Sequence, residues 1–297
     1  MWTWLRRLKE RTIYCWLLAC GLVSIVVTVG IIWVLATESV QFFKHVSLWQ
    51  YLSGTRWAPL LEPRSFGILP LVCGTLMVGV GALLIAVPIG LATAIFLSEY
   101  APGWFRQIAK PVLEVLAGVP TIVYGFFALT FVTPKLLKPL LPQTEVFNAA
   151  SAAIVVGIMI VPTISSLCDD AFRALPRSLR EGGYALAATR LEVSTRIVLP
   201  GALSGVVAAV LLALARAIGE TMAVTLAAGM TPKITANPLE SIQTMTAYIV
   251  QVSLGDTPAG TIEYQTIFAV GMTLFVVTLV INLIAQRVMR RFREAYE

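Results

Sequence analysis

The 297-residue chain is more apolar and less charged than a soluble domain of that length. Hydrophobic residues make up 58% and charged residues 13%, and the mean hydropathy is +0.83. Soluble domains carry roughly 45–50% apolar and about 25% charged residues. The composition therefore excludes a soluble enzyme and favours an integral membrane protein with several spans. The length leaves no room for a large soluble domain beside them.

Six segments are long and apolar enough to cross a bilayer core of about 30 Å, which needs about 20 helical residues. The first is longer than the apolar core of a cleaved signal peptide, about 7–15 residues, so we expect it to be retained as a helix. Only the fifth contains charged side chains, Arg216 and Glu220. The six predicted spans are 12–37, 65–98, 115–134, 146–168, 201–229 and 264–286.

Basic residues are unequally divided between the two sides of these spans. With the N-terminus inside, fifteen Lys and Arg fall in cytoplasmic segments and six in external loops. Because cytoplasmic loops carry an excess of Lys and Arg, this predicts an all-α protein with six spans and both ends inside. The net charge of +6 is then a topology signal, and we expect no nucleic-acid partner.

Four aromatic residues near the first span suit the membrane–water interface, where Trp and Tyr are enriched. Trp33 lies near the outer end of the span, and Trp49, Tyr51 and Trp57 lie in the loop that follows. The three loop residues could equally pack onto the bundle.

The segment 169–200 is the longest predicted cytoplasmic loop. Ser178-Leu-Arg-Glu181 and Thr189-Arg-Leu-Glu192 both have the form of a capping box, which predicts two short helices separated by a turn. The apolar run 184–188 would be exposed on a plain connector, and such a face usually meets a partner. A docking loop and an ordinary solvated connector are the two interpretations, and the apolar face favours docking.

This loop resembles the EAA loop of the permeases of binding-protein-dependent ABC importers. The resemblance lies in Glu181-Gly-Gly-Tyr-Ala-Leu-Ala187, followed after nine residues by Ile197-Val-Leu-Pro200. Gly182 and Gly183 replace motif alanines, and Ala187 replaces the motif glycine. Helical glycine costs about 1 kcal/mol against alanine, so we expect a softer first helix and a turn of different shape. The resemblance implies docking to a separate ATPase through Glu181, Gly182, Gly183, Tyr184, Ala187, Leu199 and Pro200.

Residues for catalysis or metal binding are scarce. None of the six lysines follows a glycine, so the Gly-Lys-Ser/Thr loop that cradles nucleotide phosphates is missing. The only histidine, His45, lies in a predicted external loop, and the four cysteines lack metal-ligand spacing. We expect a non-catalytic chain without a cofactor or metal of its own.

Arg216 and Glu220 are four residues apart, which would place them on one face of a continuous helix. A charge at mid-membrane costs roughly 2.5–3.5 kcal/mol and generally faces a bundle interior or a wet cavity. One interpretation is a self-neutralising pair that clamps helices together. The other is a substrate pathway in which Arg216 presents a forked donor to an anion, and spacing alone does not choose between them.

The stretch Arg216-Ala-Ile-Gly-Glu-Thr-Met-Ala-Val224 resembles the signature span of the phosphate-specific Pst permeases, with Met222-Ala-Val typical of the PstC type. The similarity runs from about residue 40 to residue 286. Other matching stretches are Ser47-Leu-Trp, Phe66-Gly-Ile-Leu-Pro70, Leu97-Ser-Glu-Tyr100, Ala117-Gly-Val-Pro120 and Tyr124-Gly-Phe-Phe127.

The resemblance implies the type I ABC importer (MetI-like) permease fold, in the bacterial inner membrane, with a segment 1–65 before a five-helix core, 66–290. The implied partners are a PstA-like second permease subunit, a PstB-like ATPase dimer that binds ATP, and a PstS-like external phosphate-binding protein. In that family the arginine and glutamate that correspond to Arg216 and Glu220 are implicated in phosphate passage, so the resemblance implies the same role for these two residues. Thr221 and Thr225 are added as neighbouring hydroxyl donors, although each could simply bond its own helix backbone.

Two alternatives stay open. The substrate could be another oxyanion, because nothing in the fifth span reads as a size filter. The chain could also be a stand-alone secondary transporter or channel, which the predicted docking loop disfavours.

Overall fold

A computed structural model describes residues 2–255 and 257–291, with side chains from Lys9 to Arg287 except at position 256. The described part is mostly helical. Its helices are α1 (Trp2–His45), α2 (Leu48–Ser53), α3 (Leu69–Ile95), α4 (Gly103–Ala117), α5 (Thr121–Phe127), α6 (Lys138–Leu140), α7 (Ala149–Ala174), α8 (Arg177–Ala185), α9 (Arg190–Val193), α10 (Leu199–Gly201), α11 (Leu203–Ile218), α12 (Met222–Ala228), α13 (Met245–Leu254) and α14 (Ile262–Arg291). Three π-helical segments continue α3, α5 and α9: Phe96–Tyr100, Ala128–Leu137 and Ser194–Val198.

Four helices of the described residues are long and apolar enough to span a membrane alone, which confirms the first, second, fourth and sixth predicted spans. They are Lys9–His45, Leu69–Tyr100, Ala149–Ala174 and Ile262–Arg287. Two bent helix pairs would bring the number to six if each crosses once. The orientation stays a prediction, and several basic residues behind it, 6–7 and 290–293, lie outside the described side chains.

The predicted third span, 115–134, is wrong as a single helix. α4 ends at Ala117 and α5 begins at Thr121, with an 85° bend between the two helices. Gly118 caps α4, and Pro120 precedes α5. Because the residue before a proline is pushed out of the helical region, Val119 cannot readily continue α4.

The predicted fifth span, 201–229, is also wrong as a single helix. α11 ends at Ile218, Gly219 caps it, and α12 begins only at Met222. A further bend of 73° lies between Arg190–Gly201 and α11. The charged middle of the predicted span is therefore an interruption between two helices.

The core of the bundle is built around α3 and α7, the helix pair in most extensive contact. Close approach depends on small residues, as is usual between membrane helices. A Cβ at Gly90 would lie 2.7 Å from Ile164 Cγ2, and one at Gly157 would lie 3.1 Å from the Ala82 carbonyl oxygen. Larger side chains at either glycine would push the two helices apart.

A second, aromatic cluster closes the end of the bundle that the topology predicts to be external. Strands β1 (Trp57–Ala58) and β2 (Ser65–Phe66) pair antiparallel, and Trp57 packs edge-on against Tyr248 of α13 at 5.0 Å. Tyr51 and Trp57 are buried, whereas Trp33 and Trp49 are 68% and 79% exposed. Tyr51 and Trp57 thus pack onto the bundle, and only Trp33 and Trp49 are free to contact an interface.

α1 is exposed along most of its length and packs mainly on α14. Contacts begin near its C-terminal third, where the Ser39 hydroxyl donates to the Phe268 carbonyl oxygen at 3.0 Å. The apolar remainder, which includes Trp16 and Val26, fits lipid or another membrane subunit as its surroundings.

Candidate functional site

Arg216 lies in the last turn of α11 and is exposed on this chain. Its Nη1 donates to Thr163 Oγ1 at 3.2 Å, and its Nη2 donates to the Ala117 carbonyl oxygen at 3.0 Å. Ala117 is the last residue of α4, where helix carbonyls lack intrahelical partners and attract cations. The guanidinium therefore caps α4 and is held against α7.

The Tyr124 hydroxyl supports the same corner by donating to the Leu116 carbonyl oxygen at 3.0 Å. Two side-chain donors, from α5 and α11, thus satisfy consecutive carbonyls at the end of α4. The bend between α4 and α5 and the break after α11 consequently form one site.

Glu220 is buried in the break, and its carboxylate does not form the self-neutralising pair with Arg216 that one of the two interpretations described. Its Oε1 accepts the Ala223 backbone N–H at 3.1 Å, and its carbonyl oxygen accepts the Thr246 hydroxyl at 2.8 Å. Among the described residues no ion pair joins Glu220 to Arg216. The prediction of a shared helical face is wrong because α11 ends between the two residues.

The hydroxyls of Thr221 and Thr225 donate to local backbone. Thr221 Oγ1 donates to the Gly219 carbonyl oxygen at 3.1 Å, and Thr225 Oγ1 donates to the Thr221 carbonyl oxygen at 2.7 Å. Bonding to the nearby backbone is the alternative that the sequence left open for these two threonines. Their role as substrate donors stays a prediction, and in this conformation both hydrogens are already used.

The cytoplasmic loop begins later than predicted because α7 continues to Ala174, so Asp169 is helical. Asp169 is fully buried, and its Oδ2 accepts a bond from Arg106 Nη2 of α4 at 2.6 Å. Lys110, one turn further along α4, pairs with Asp170 at 2.5 Å. These pairs fasten α4 to α7 near the cytoplasmic loop.

Two short helices separated by a turn are present in the loop, which confirms that prediction. The capping box at Thr189 and Glu192 is confirmed by bonds in both directions, 2.9 and 3.3 Å long. The bond from the Thr189 N–H, then that from its hydroxyl, lowers the pKa of Glu192. The box predicted at Ser178 is wrong, because α8 begins at Arg177 after Pro176 and Ser178 makes no cap bond.

The turn after α8 keeps a left-handed residue although no glycine is present. Ala187 has φ 59°, a conformation that costs an L-residue about 1–2 kcal/mol. Its N–H donates to the Tyr184 carbonyl oxygen at 2.9 Å, and the Ala188 N–H donates to that of Gly183 at 3.2 Å. The turn therefore retains a backbone conformation that favours glycine, at some cost in strain.

The predicted apolar face of the loop is exposed. Leu186 is 86% exposed and Tyr184 43%, and Glu181 is exposed and makes no hydrogen bond or ion pair with any described residue. Leu199, by contrast, packs against the core cluster of the bundle. The structure thus leaves the Tyr184–Leu186 side free for a partner and anchors the loop at its far end.

No group of three or more His, Cys, Asp or Glu side chains among the described residues could hold a metal ion. All four cysteines are free thiols. His45 is exposed, with Nδ1 3.2 Å from the Gln41 carbonyl oxygen. The absence of a cofactor or metal stays a prediction.

Residues 86–294 match the family model described as the inner membrane component of binding-protein-dependent transport systems. That stretch contains α4 to α13 with both breaks and the cytoplasmic loop. The chain belongs to this family. It is accordingly a multi-pass inner-membrane component of an ABC transporter.

Individual members of the family are similar over most of the chain. A probable ABC transporter permease protein, YqgH of Bacillus subtilis, is 35% identical over 88% of this chain and 84% of its own length. The phosphate transport system permease protein PstC of Haemophilus influenzae is 30% identical over 98% of this chain and 95% of its own.

Solved structures of ABC importers share the fold. A chain of a bacterial alginate ABC transporter aligns with this permease with a TM-score of 0.64 at 18% identity. The alignment covers 95% of this permease and 96% of the alginate transporter chain. A chain of the inward-facing methionine transporter MetNI gives a TM-score of 0.60 at 17% identity. That alignment covers 79% of this permease and 100% of the MetNI chain. The type I importer permease fold implied by the sequence is confirmed.

Sequence reasoning missed the partners that position the site. Thr163 and Ala117 lie 53 and 99 positions from Arg216, and no local spacing announces such contacts. A Gly-x-Pro sequence at 118–120 was the available signal for the bend that brings the Ala117 carbonyl to Arg216.

Proposed function

We propose that this permease is one of two membrane subunits of an ATP-driven importer of inorganic phosphate, and that it forms half of the translocation pathway. Family membership supports import driven by a separate ATPase. The names of relatives from several bacteria, phosphate transport system permease protein PstC, support phosphate as the substrate.

The observation that carries the proposal is the position of Arg216 at the broken fifth span. Its guanidinium has five N–H donors, and its contacts with Thr163 and Ala117 use one nitrogen each. It is exposed on the isolated chain, at the face that a second subunit would enclose. A mid-membrane arginine costs roughly 2.5–3.5 kcal/mol, which an anion in the pathway would offset.

Charge balance in the site favours an anion. Glu220 is engaged by the Ala223 N–H and makes no ion pair with Arg216, so the charge of Arg216 is not neutralised from within its own span. Planar guanidinium suits phosphate because two parallel N–H donors match two phosphate oxygens. Phosphate would then bind at the break by competing with the Ala117 carbonyl oxygen and Thr163.

The cytoplasmic loop supports the ATPase partner. α8 with Tyr184 and Leu186 would occupy a groove of a PstB-like ATPase, and Glu181, Gly182, Gly183 and Ala187 would set its fit. Leu199 and Pro200 would pass the motion into α11. The chain itself would be non-catalytic, with ATP bound by the ATPase dimer, a PstA-like subunit completing the pathway and a PstS-like protein delivering phosphate outside.

Reconstituted uptake tests the proposal. Vesicles with both permease subunits and the ATPase, supplied with ATP and the external binding protein, should accumulate labelled phosphate. Leaving out either ATP or the binding protein should abolish uptake. Sulfate carried at an equal rate would contradict phosphate as the specific substrate, and arsenate, similar in shape and charge, serves as a positive comparison. Transport by this chain alone in vesicles would contradict the importer.

A further inference from the structure

Arg180 of α8 makes hydrogen bonds to two other elements. Its Nε and Nη2 donate to Glu99 Oε1 at 3.1 and 3.0 Å, its Nη2 donates to the Phe172 carbonyl oxygen at 2.6 Å, and its Nη1 donates to that of Leu175 at 3.2 Å. The Arg180 and Glu99 side chains are only 17% and 6% exposed. Every nitrogen of this guanidinium is therefore engaged.

These bonds join three elements of different roles. Glu99 lies in the π-helical segment that continues α3, Phe172 lies in the last turns of α7, and Arg180 lies in the middle of α8. α3 and α7 are the two spans packed most extensively in the core. Arg180 thus ties the exposed loop helix directly to the ends of α3 and α7.

α8 is joined to α7 by the two-residue connection Leu175–Pro176, but little besides the ion pair fastens it to α3. Gly183 is its only buried residue, and it faces Val193 and Ile197 of the same loop. A cavity of about 370 Å³ lies beside the ion pair, between α8 and the ends of α3 and α7. Because side chains do not fill this space, the direct contact of α8 with α3 is the Glu99–Arg180 pair.

We propose that the Glu99–Arg180 pair is the positioning link through which movement of α8 on its ATPase is transmitted directly to α3. Nε and Nη2 both donate to Glu99 Oε1, while Nη1 and Nη2 also bond the Leu175 and Phe172 carbonyl oxygens, so the guanidinium is held from two sides and its rotation is restricted. Charge-assisted hydrogen bonds of this kind are roughly twice as strong as neutral ones. The inference rests on the proposed function, because it assumes an ATPase that moves α8.

The test is the ratio of phosphate imported to ATP hydrolysed by the complete transporter in vesicles. Glu99→Gln removes the charge, keeps the shape and leaves the exposed face of α8 untouched. We expect the complex to assemble and to hydrolyse ATP, with the transport ratio lowered at least tenfold. Arg180→Gln should lower it similarly, and the double variant should be no worse than either single variant. Glu114→Gln, an exposed acid of α4, is the matched control and should stay within about twofold of the unmodified ratio.

An unchanged ratio in Glu99→Gln would overturn the link. Failure of that variant and of Arg180→Lys to retain the ATPase would also overturn it, because the pair would then serve assembly alone. Absence of phosphate uptake by the unmodified transporter would contradict the proposed function instead, so the two failures are distinguishable.

Discussion

Among the described residues Arg216 donates side-chain hydrogen bonds to two neighbours, and one of them can be changed without touching the backbone. Thr163 Oγ1 accepts its Nη1 at 3.2 Å, and hydrogen bonds to charged groups contribute roughly 1.5–3 kcal/mol. The orientation of the guanidinium should therefore depend on a hydroxyl at position 163.

Thr163→Val should raise the KM for phosphate uptake roughly tenfold, because loss of about 1.4 kcal/mol changes an equilibrium constant by that factor. Thr163→Ser, which keeps the hydroxyl, is the matched control and should stay near the unmodified value. Initial uptake rates measured across a range of phosphate concentrations give the KM of each variant. Equal KM values for the two variants would show that Thr163 does not position Arg216.

For the individual residues of the Arg216 site, the sequence predicted which ones are charged but not what they contact. An arginine in an apolar segment stands out in the sequence, because placing a charge in the membrane costs free energy. Its bonds to Thr163 and Ala117 depend on how α4, α7 and α11 pack, which no four-residue spacing describes. The one spacing that was used, between Arg216 and Glu220, assumed a continuous helix and was wrong.

Among the elements, the straight spans followed from hydropathy and the broken ones did not. Hydropathy counts apolar residues, and it is equally high on both sides of a bend. Gly118 and Gly219 stand at the two breaks, but glycine also occurs inside the unbroken α3 and α7, where it allows close packing. Glycine alone therefore could not distinguish a break from a tight helix contact.

The loop helix α8 contains two adjacent glycines in different surroundings. A Cβ at Gly182 would meet nothing within 4 Å, whereas one at Gly183 would lie 2.6 Å from Ile197 Cδ1 and 3.0 Å from Val193 Cγ2. The expectation of a softer helix therefore applies mainly to Gly182, and Gly183 also permits a close contact.

Gly182→Ala should stabilise α8 by about 1 kcal/mol, the difference in helix propensity. Amide hydrogen exchange across α8 should slow about fivefold. Gly183→Ala should give no such slowing, because contact with Val193 and Ile197 offsets the gain in propensity. Equal slowing in both variants would contradict the close packing of Gly183.

For the whole molecule, a continuous chain of contacts runs from the exposed loop to Arg216. Arg180 of α8 bonds to the ends of α3 and α7, and Thr163 of α7 contacts Arg216. In the proposed transporter, α8 would meet the ATPase at one end of this chain and phosphate would bind at the other. The aromatic cluster at the opposite end fixes α13 against β1, and α13 holds the Glu220 backbone through Thr246. The break with Arg216 thus lies between the buried aromatic cluster at one end of the bundle and the exposed helix α8 at the other.

Glu181→Lys reverses the charge of an exposed loop residue without a partner among the described residues. We expect the ATPase to dissociate or to hydrolyse ATP without driving uptake, because the reversed charge faces the docked subunit. Co-purification and uptake measured on the same preparation separate these two effects. ATP-driven uptake at the unmodified rate would contradict the docking role of the loop.

Phosphate import by the proposed route depends above all on Arg216 acting on the substrate rather than on the fold. The most direct measurement is labelled-phosphate uptake by vesicles containing the complete transporter with Arg216→Gln, alongside recovery of its partner subunits. We predict that the partners are retained and that uptake is abolished, since glutamine caps α4 without supplying charge. Uptake at the unmodified rate, or a complex that no longer assembles, would contradict the account.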